Sequence, residues 1–330
     1  MTSTLKASLS NNGWGGTLTG LSKGSTYYYC AYVVLKNGND SKTVSGSVEQ
    51  FSTLSQSEAI VVGDVSWLEL PSLSVSGNQL IRTLYGSNGE RNYSYLYDKT
   101  YYASLWEAYP LKLAHTKGSK SSSWSFNPDE DIDEAYQVDV VSNSYGTQYG
   151  NKAYSRGHQV PNADRKSDSK MNSQTYYVTN QTPQLQNKFN GSIWGNLETA
   201  VRGLLDSDSD IVYVVTGPVY KTKGGSETIN YLTAKSDVTP SKVPIPNYYW
   251  KVLLKVKTDS SGNVTSASAI GFWFKHKDYG DDSDSTDYAD YAVSVAEIER
   301  KTGFDFFSNL PDSIESTAEA NTSWDKFKKF

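Results

Sequence analysis

Between positions 25 and 53 the chain reads as strand, turn, strand. Residues 25–34 (Ser-Thr-Tyr-Tyr-Tyr-Cys-Ala-Tyr-Val-Val) are mostly β-branched or aromatic, a run suited to a pleated surface. Lys36-Asn37-Gly38-Asn39-Asp40 breaks it with turn residues, and a two-residue alternation resumes over 44–51, which predicts a hairpin. A polar spacer at 54–58 leads to a second region that opens on Trp67-Leu68-Glu69-Leu70-Pro71. In it, strand-like runs at 93–97, 175–179, 211–215 and 248–256 are bounded by Gly, Pro or Asp/Asn clusters. Ile193, Leu197, Ala200, Val201 and Leu204 recur at helical spacing within 192–205. A shorter helix is predicted over 295–302, with Gly303 at its C-cap. The pattern predicts an α+β domain over 56–330 after a β-rich module over 1–55.

The N-terminal module resembles the closing strands of fibronectin-type or immunoglobulin-like domains, with an aromatic strand, a Gly turn and a final Phe51-Ser52-Thr53. Such sandwiches take roughly 100 residues. The resemblance therefore implies a partial β-sandwich, and we expect the chain to be a piece of a longer surface or exported protein.

Composition narrows the function classes. With 37% hydrophobic and 13% aromatic residues, including 25 Tyr and 8 Trp, the chain of 330 residues is too rich in core formers to be disordered. No apolar run approaches the roughly 18–20 residues of a membrane helix, and the first ten residues lack a signal-peptide core. Net charge is −5, so polyanions are not attracted at long range and a nucleic-acid site needs a local basic patch or a metal. Cys30 is the only cysteine, which excludes an internal disulfide and a Cys-based zinc site. The three histidines, His115, His158 and His276, are too few and too scattered for a multi-histidine metal centre. Acidic runs at 129–134 and 278–290 lack the spacing of a calcium loop and read as solvated loops. No repeat of 20–50 residues is visible.

Chemistry concentrates between 154 and 202. Tyr154-Ser155-Arg156-Gly157-His158-Gln159-Val160-Pro161-Asn162-Ala163-Asp164-Arg165 is followed by Asn180, then Asn190, then Glu198 and Arg202 four residues apart on one helical face. Phosphodiester hydrolysis needs a base for water, an electrophile for charge growing on phosphorus and help for the leaving oxygen. A histidine is partly neutral at physiological pH and can take that proton. An amide oxygen is a hard ligand suited to Mg²⁺, which keeps most of its waters.

These residues resemble the DNA/RNA non-specific endonuclease family, ββα-metal nucleases whose signature is Asp-Arg-Gly-His followed by an Asn…Trp…Leu-Glu helix. Here the signature stands as Ser155-Arg156-Gly157-His158, then Asn190, Trp194 and Leu197-Glu198. The likeness extends over roughly 60–320 through Trp67-Leu68-Glu69-Leu70-Pro71, Val215-Thr216-Gly217-Pro218-Val219-Tyr220 and the segment 293–310. It implies a central, mainly antiparallel sheet with flanking helices and a Mg²⁺-dependent endonuclease acting on DNA and RNA, with Mn²⁺ as a substitute ion. It implies His158 as general base, Asn190 as direct metal ligand, Glu198 holding a water of the ion, and Arg156, Arg202 and Arg91 as catalytic cations. Arg91 is matched as the arginine ahead of Trp106-Glu107-Ala108-Tyr109. Asn180 and Ser155 are supporting residues, and relatives' habits imply a secreted, periplasmic or cell-surface location.

One departure stands out. Ser155 replaces the family's leading Asp, an uncharged and weaker partner for the neighbouring groups. That residue, the acidic net charge and the N-terminal strands keep a second class open: a catalytically weak nucleic-acid-binding or surface adhesion module on the nuclease fold. A phosphodiesterase for small esters is a third reading. Isolated from the motif, His158 would be a structural histidine and Glu198–Arg202 an exposed helix pair worth roughly 0.3–0.5 kcal/mol. His115 and His276 are read as structural or surface groups and Trp67, Trp106, Trp194 and Trp250 as core. Arg165 binds phosphate or braces its loop, and Lys166, Lys170 and Lys188 supply a local basic bias.

Overall fold

The structure is a computed structural model, and it describes residues 8–10, 13–15, 25–52, 64, 66–119, 125–138, 154–233, 242–280 and 287–330. The spacer 54–58, Thr53 and positions 281–286 of the second acidic run lie outside the described residues. The chain divides into two compact units, Met1–Ala59 and Ile60–Phe330.

The first unit consists of two-stranded antiparallel ladders. β1 (Ser8–Ser10) pairs with β2 (Gly13–Gly15), β3 (Thr26–Tyr29) with β6 (Glu49–Ser52), and β4 (Tyr32–Asn37) with β5 (Asp40–Ser45). Gly38, at φ +62°, supplies the left-handed position of the β4–β5 turn. The hairpin is as expected, but the sandwich is not confirmed: Tyr28, Tyr32 and Leu35 are exposed, and no second apolar layer covers the described strands.

The second unit is built on a seven-stranded sheet, antiparallel throughout. Its strands are β7 (Gln79–Tyr85), β8 (Arg91–Asp98), β9 (Ala103–Lys112), β12 (Ile211–Val219), β15 (Tyr248–Thr258), β16 (Val264–Lys275) and β17 (Ala292–Val293), in the spatial order β17-β16-β15-β12-β9-β8-β7. Alternation along the strands feeds two cores. Tyr95, Tyr109, Val214, Tyr249 and Phe272 face one layer, while Leu96, Trp106, Val215, Trp250 and Val252 face the other. On the second face sit α4 (Val295–Thr302) and α5 (Asp312–Glu319). α4 is capped by the Ser294 hydroxyl and ended by Gly303 at φ +84°, as its sequence predicts. No helix among the described residues is long and apolar enough to cross a membrane.

On the first face lies a smaller unit. β10 (Tyr154–His158) pairs antiparallel with β11 (Gln181–Leu185), and α3 (Gly195–Arg202) follows; a separate two-stranded ladder joins β13 (Asn230–Thr233) to β14 (Lys242–Ile245). The smaller unit packs Phe189, Trp194, Leu197 and Val201 onto the sheet. Short helices α1 (Leu113–Thr116) and α2 (Ser169–Gln174) flank it, with α6 (Trp324–Lys328) on β16.

Three local expectations differ from the structure. Residues 175–179 form no strand; Tyr177 makes a lone bridge to Asn127 and a tight helical turn, Val178–Asn180, follows. The helix predicted from 192 begins as a wide turn, Gln186–Trp194, broken at Ser192, and becomes regular only at Gly195. Asp129 is not solvated: it is buried and accepts hydrogen bonds from Tyr95 Oη at 2.6 Å and Thr179 Oγ1 at 3.2 Å.

Candidate active site

β10 carries the whole Ser-Arg-Gly-His motif, and its ladder with β11 explains the glycine: a Cβ at Gly157 would run into the Gln184 side chain. Alternation puts Arg156 and His158 on one face of the strand and Ser155 on the other. The His158 ring is walled by Phe126 and Tyr176, each with its centroid 5.0 Å away, and the Arg156 guanidinium lies 4.7 Å over the same Phe126 ring. Arg156 and His158 therefore share one aromatic support.

Asn180 fixes the exit of the strand. Its Oδ1 accepts from the Val160 N–H at 2.8 Å and its Nδ2 donates to the Val160 and Thr175 carbonyls at 3.0 and 2.7 Å, all within a fully buried side chain. Losing it would strand three backbone groups, two of them at Val160 just after His158.

On the opposite face of β10, Ser155 Oγ donates to the Gln184 carbonyl at 3.2 Å and accepts from Asn190 Nδ2 at 3.0 Å. The amide nitrogen of Asn190 is thus engaged by the motif strand, and its Oδ1 is the acceptor end of the amide. Among the described residues no group of three or more His, Cys, Asp or Glu could hold a metal. The donor set fits instead a hard, mostly hydrated cation taken by one amide oxygen, with the Glu198 carboxylate as a partner for its water.

α3 supplies Glu198 and Arg202. The direct partner of Arg202 is not Glu198 but Asp164: Nη1 to Oδ1 is 2.8 Å, and the other carboxylate oxygen accepts from Tyr109 Oη at 2.9 Å. Burial pushes the Glu198 carboxyl up to about 7, opposed by the positive charge of Lys251. Lys251 Nζ is itself buried, 4.8 Å over the Trp194 ring one turn before Glu198, and burial pulls its pKa down. The sheet register explains how it arrives. Tyr95, Glu107, Thr216, Lys251 and Phe272 are successive cross-strand partners on the face that α3 covers. Glu107, also fully buried, is raised well above the ordinary carboxyl range by desolvation.

Other anticipated residues lie elsewhere or serve as braces. Arg91 is not brought to this group: its Nε lies 2.8 Å from Glu69 Oε1 and its guanidinium 4.4 Å over Trp67, which packs on the second core. Arg165 is fully buried and spends its guanidinium on Asn92 and on the Asp164 and Pro110 carbonyls. His115 is buried between Arg165 and Glu90. His276 Nε2 accepts from the Leu185 N–H at 3.0 Å, tying β11 to the sheet.

Asp164, Tyr109, Lys251 and Glu107 carry charge or hydrogen bonds beneath the site and were assigned no role from sequence. The signal for two of them was present: a lone Lys in the apolar run 248–254 and a lone Glu in Trp106-Glu107-Ala108-Tyr109. An ionisable residue inside a buried strand needs a partner.

Comparison with known proteins identifies the family and the fold. The sequence model of the DNA/RNA non-specific endonuclease family matches residues 76–313. "Nuclease 1, mitochondrial" of Schizosaccharomyces pombe is 30% identical over 203 residues, which cover 60% of this chain and 58% of that protein. "Nuclease EXOG, mitochondrial" of Danio rerio is 30% identical over 231 residues, 66% of this chain and 60% of that one. "Nuclease" of Nostoc sp. is 28% identical over 70% of this chain and 76% of its own. The chain thus spans about three fifths of the length of the first two relatives. In fold, the chain is similar to a solved structure of an EndoG/EndoGI complex, with a TM-score of 0.55 and 22% identity over 70% of this chain and 88% of that one. With its ββα unit set on an antiparallel sheet and most of its length matched, the chain belongs to the DNA/RNA non-specific endonuclease family.

Proposed function

We propose that this chain is a magnesium-dependent endonuclease that hydrolyses phosphodiester bonds of both DNA and RNA with little sequence preference. The observation that carries the reading is the Asn190–Ser155 hydrogen bond, which ties the coordinating amide to the strand that bears His158.

His158 takes a proton from the attacking water as the new P–O bond forms and the bond to the 3′ oxygen breaks, leaving a 5′-phosphate. Phe126 and Tyr176 hold the imidazole against rotation. Asn190 Oδ1 would hold the magnesium ion and Glu198 one of its waters; manganese offers the same hard-ligand preference. Lewis-acid stabilisation of the phosphoryl and leaving oxygens is the chemistry the ion supplies when bound. Arg156 faces the substrate side with His158, and Arg202, anchored by Asp164, adds positive charge near the transition state. Contacts confined to phosphate carry no base information, so broad specificity follows. Arg91, held by Glu69, has no part in this reading.

Plasmid nicking tests it. Cleavage should be abolished by a chelator, restored by Mg²⁺ or Mn²⁺, and occur on single-stranded RNA as well as DNA; cleavage that survives chelation would contradict it. Ser155 favours one alternative, a binding module with weak or lost catalysis, for which retardation of nucleic acid without any nicking is the signature. Two of the relatives carry mitochondrial names and a third, from Nostoc sp., is named only as a nuclease.

A further inference from the structure

Away from the ββα unit, on the sheet face that carries α4, a cavity of about 290 Å³ opens between the loop after β12 and the ends of β15, β16 and α4. Its wall is aromatic. Tyr248 and Trp273, on adjacent strands, present rings 5.1 Å apart and 35° from coplanar. Its rim is cationic, with Lys223, Arg300 and Lys301 against a single carboxylate, Glu227.

These charges are not equivalent. Glu227 is turned to Thr222, accepting from its hydroxyl at 2.7 Å, and Lys301 is shared between Glu297 at 2.9 Å and the Trp273 face at 4.5 Å. Lys223 and Arg300 have no ion-pair partner among the described residues. Lys223 is nevertheless positioned: its N–H donates to the Lys301 carbonyl at 2.6 Å, and its stem lies beside Gly303, where an added Cβ would meet Cδ at 3.1 Å. Lys275, exposed and cross-strand from Tyr248, lies on the same sheet face two residues beyond Trp273. In a chain of net charge −5, a fixed cationic rim on an aromatic wall is a local anomaly.

The cavity is mechanically joined to β11. The Asn247 side chain donates to the Tyr220 and Thr228 carbonyls at 2.7 and 3.0 Å, framing the loop that bears Lys223 and Glu227. From the other side, His276 donates its N–H to the Asn247 carbonyl at 2.8 Å and holds the Leu185 N–H, at the end of β11, at 3.0 Å. One turn, Pro246-Asn247, thus anchors both the cavity loop and the strand that leads to Asn190.

We propose that this cavity is an accessory subsite for one nucleotide of single-stranded nucleic acid, away from the scissile bond. An unstacked base packs on Tyr248 beside the edge of Trp273, while Lys223 and Arg300 take its phosphate. The proposal rests on the nuclease reading for the identity of the polymer. The size matches: the cavity lies near the lower bound of ligand pockets, roughly 300 Å³, room for one nucleotide and not for a duplex. Stacking on aromatic rings with charge on the backbone is how sequence-tolerant single-strand binding works.

The test is fluorescence anisotropy with a labelled oligothymidylate of about 20 nucleotides, and a hairpin duplex of the same length, in chelator so that nothing is cleaved. Lys223→Ala/Arg300→Ala, with its thermal midpoint checked against wild type, should bind the single strand roughly three- to tenfold more weakly and lower the salt slope by about 0.7, the value for one neutralised phosphate on a single strand. The duplex should lose less than twofold. Tyr248→Leu should weaken the single strand without changing the salt slope. Unchanged single-strand affinity and slope, or equal losses for single strand and duplex, would overturn the subsite. Failure of the nuclease reading shows separately, as absence of nicking by the wild-type protein in Mg²⁺.

Discussion

Asn190 Nδ2 donates to Ser155 Oγ across 3.0 Å, so the residue that departs from the family signature is the one that orients the amide. A hydroxyl can do this, but a carboxylate at the same place would accept the bond with charge assistance, about twice as strongly. Ser155→Asp should therefore lower the Mg²⁺ concentration for half-maximal nicking by about fivefold, the equivalent of roughly 1 kcal/mol. Ser155→Ala should raise it. A magnesium titration that is superimposable for all three proteins would show that Ser155 does not position Asn190.

Arg202 and Asp164 form a pair in which only the arginine reaches solvent, with side-chain exposures of 23% and 3%. Removing the guanidinium leaves a buried carboxylate held by Tyr109 alone, so Arg202→Ala should cost about 2–3 kcal/mol of stability, discounted for the exposed partner. In a unit of this size that is a drop of roughly 4–12 °C in Tm. Arg202→Met/Asp164→Asn should recover most of it. Calorimetry that finds the single and the double variant equally unstable would contradict the pairing.

How much of this was legible in sequence depended on the range of the forces involved. The β-branched and aromatic runs that became β8, β12 and β15, and the Gly303 cap, are set by local propensity and pattern. The run 175–179 has the same composition, yet Asn180 captures the Thr175 carbonyl with its side chain and the segment bends into a turn. Likewise, the helical period of 192–205 says nothing of the wide turn before it, where Gly195 lets the Asn190 carbonyl approach: a Cβ there would meet that oxygen at 2.9 Å. In the site, the motif residues were readable because they are contiguous. The convergence of Asp164, Lys251 and Glu107 was not, because the register of four strands and the packing of α3 bring them together. Arg91 shows the converse: it stands at a plausible distance from Trp106 in sequence, but Glu69 claims it in space.

Glu319, at the end of α5, is buried among Glu299, Glu315 and Asp305, and desolvation with those like charges raises its carboxyl to about 8; Glu315 is raised to about 7. Above pH 4.5, where the unfolded carboxyl has lost its proton, the native state still holds one, so stability falls as pH rises until Glu319 ionises near 8. Glu319→Gln should flatten that decline and stabilise the protein at pH 8.5 by on the order of 1–2 kcal/mol, with little effect at pH 5. Urea unfolding at the two pH values reads it. A decline identical in wild type and variant would remove Glu319 from the account.

His158 is the residue on which the hydrolytic account turns, and its replacement is the most direct measurement. Nicking of supercoiled plasmid in Mg²⁺ should fall by about 10²–10⁴-fold in His158→Ala, the contribution typical of a general base. The retained fold is checked by an unchanged circular dichroism spectrum, and oligonucleotide binding in chelator should stay within twofold of wild type. A His158→Ala protein that nicks at the wild-type rate would contradict the assignment of the base and the mechanism built on it.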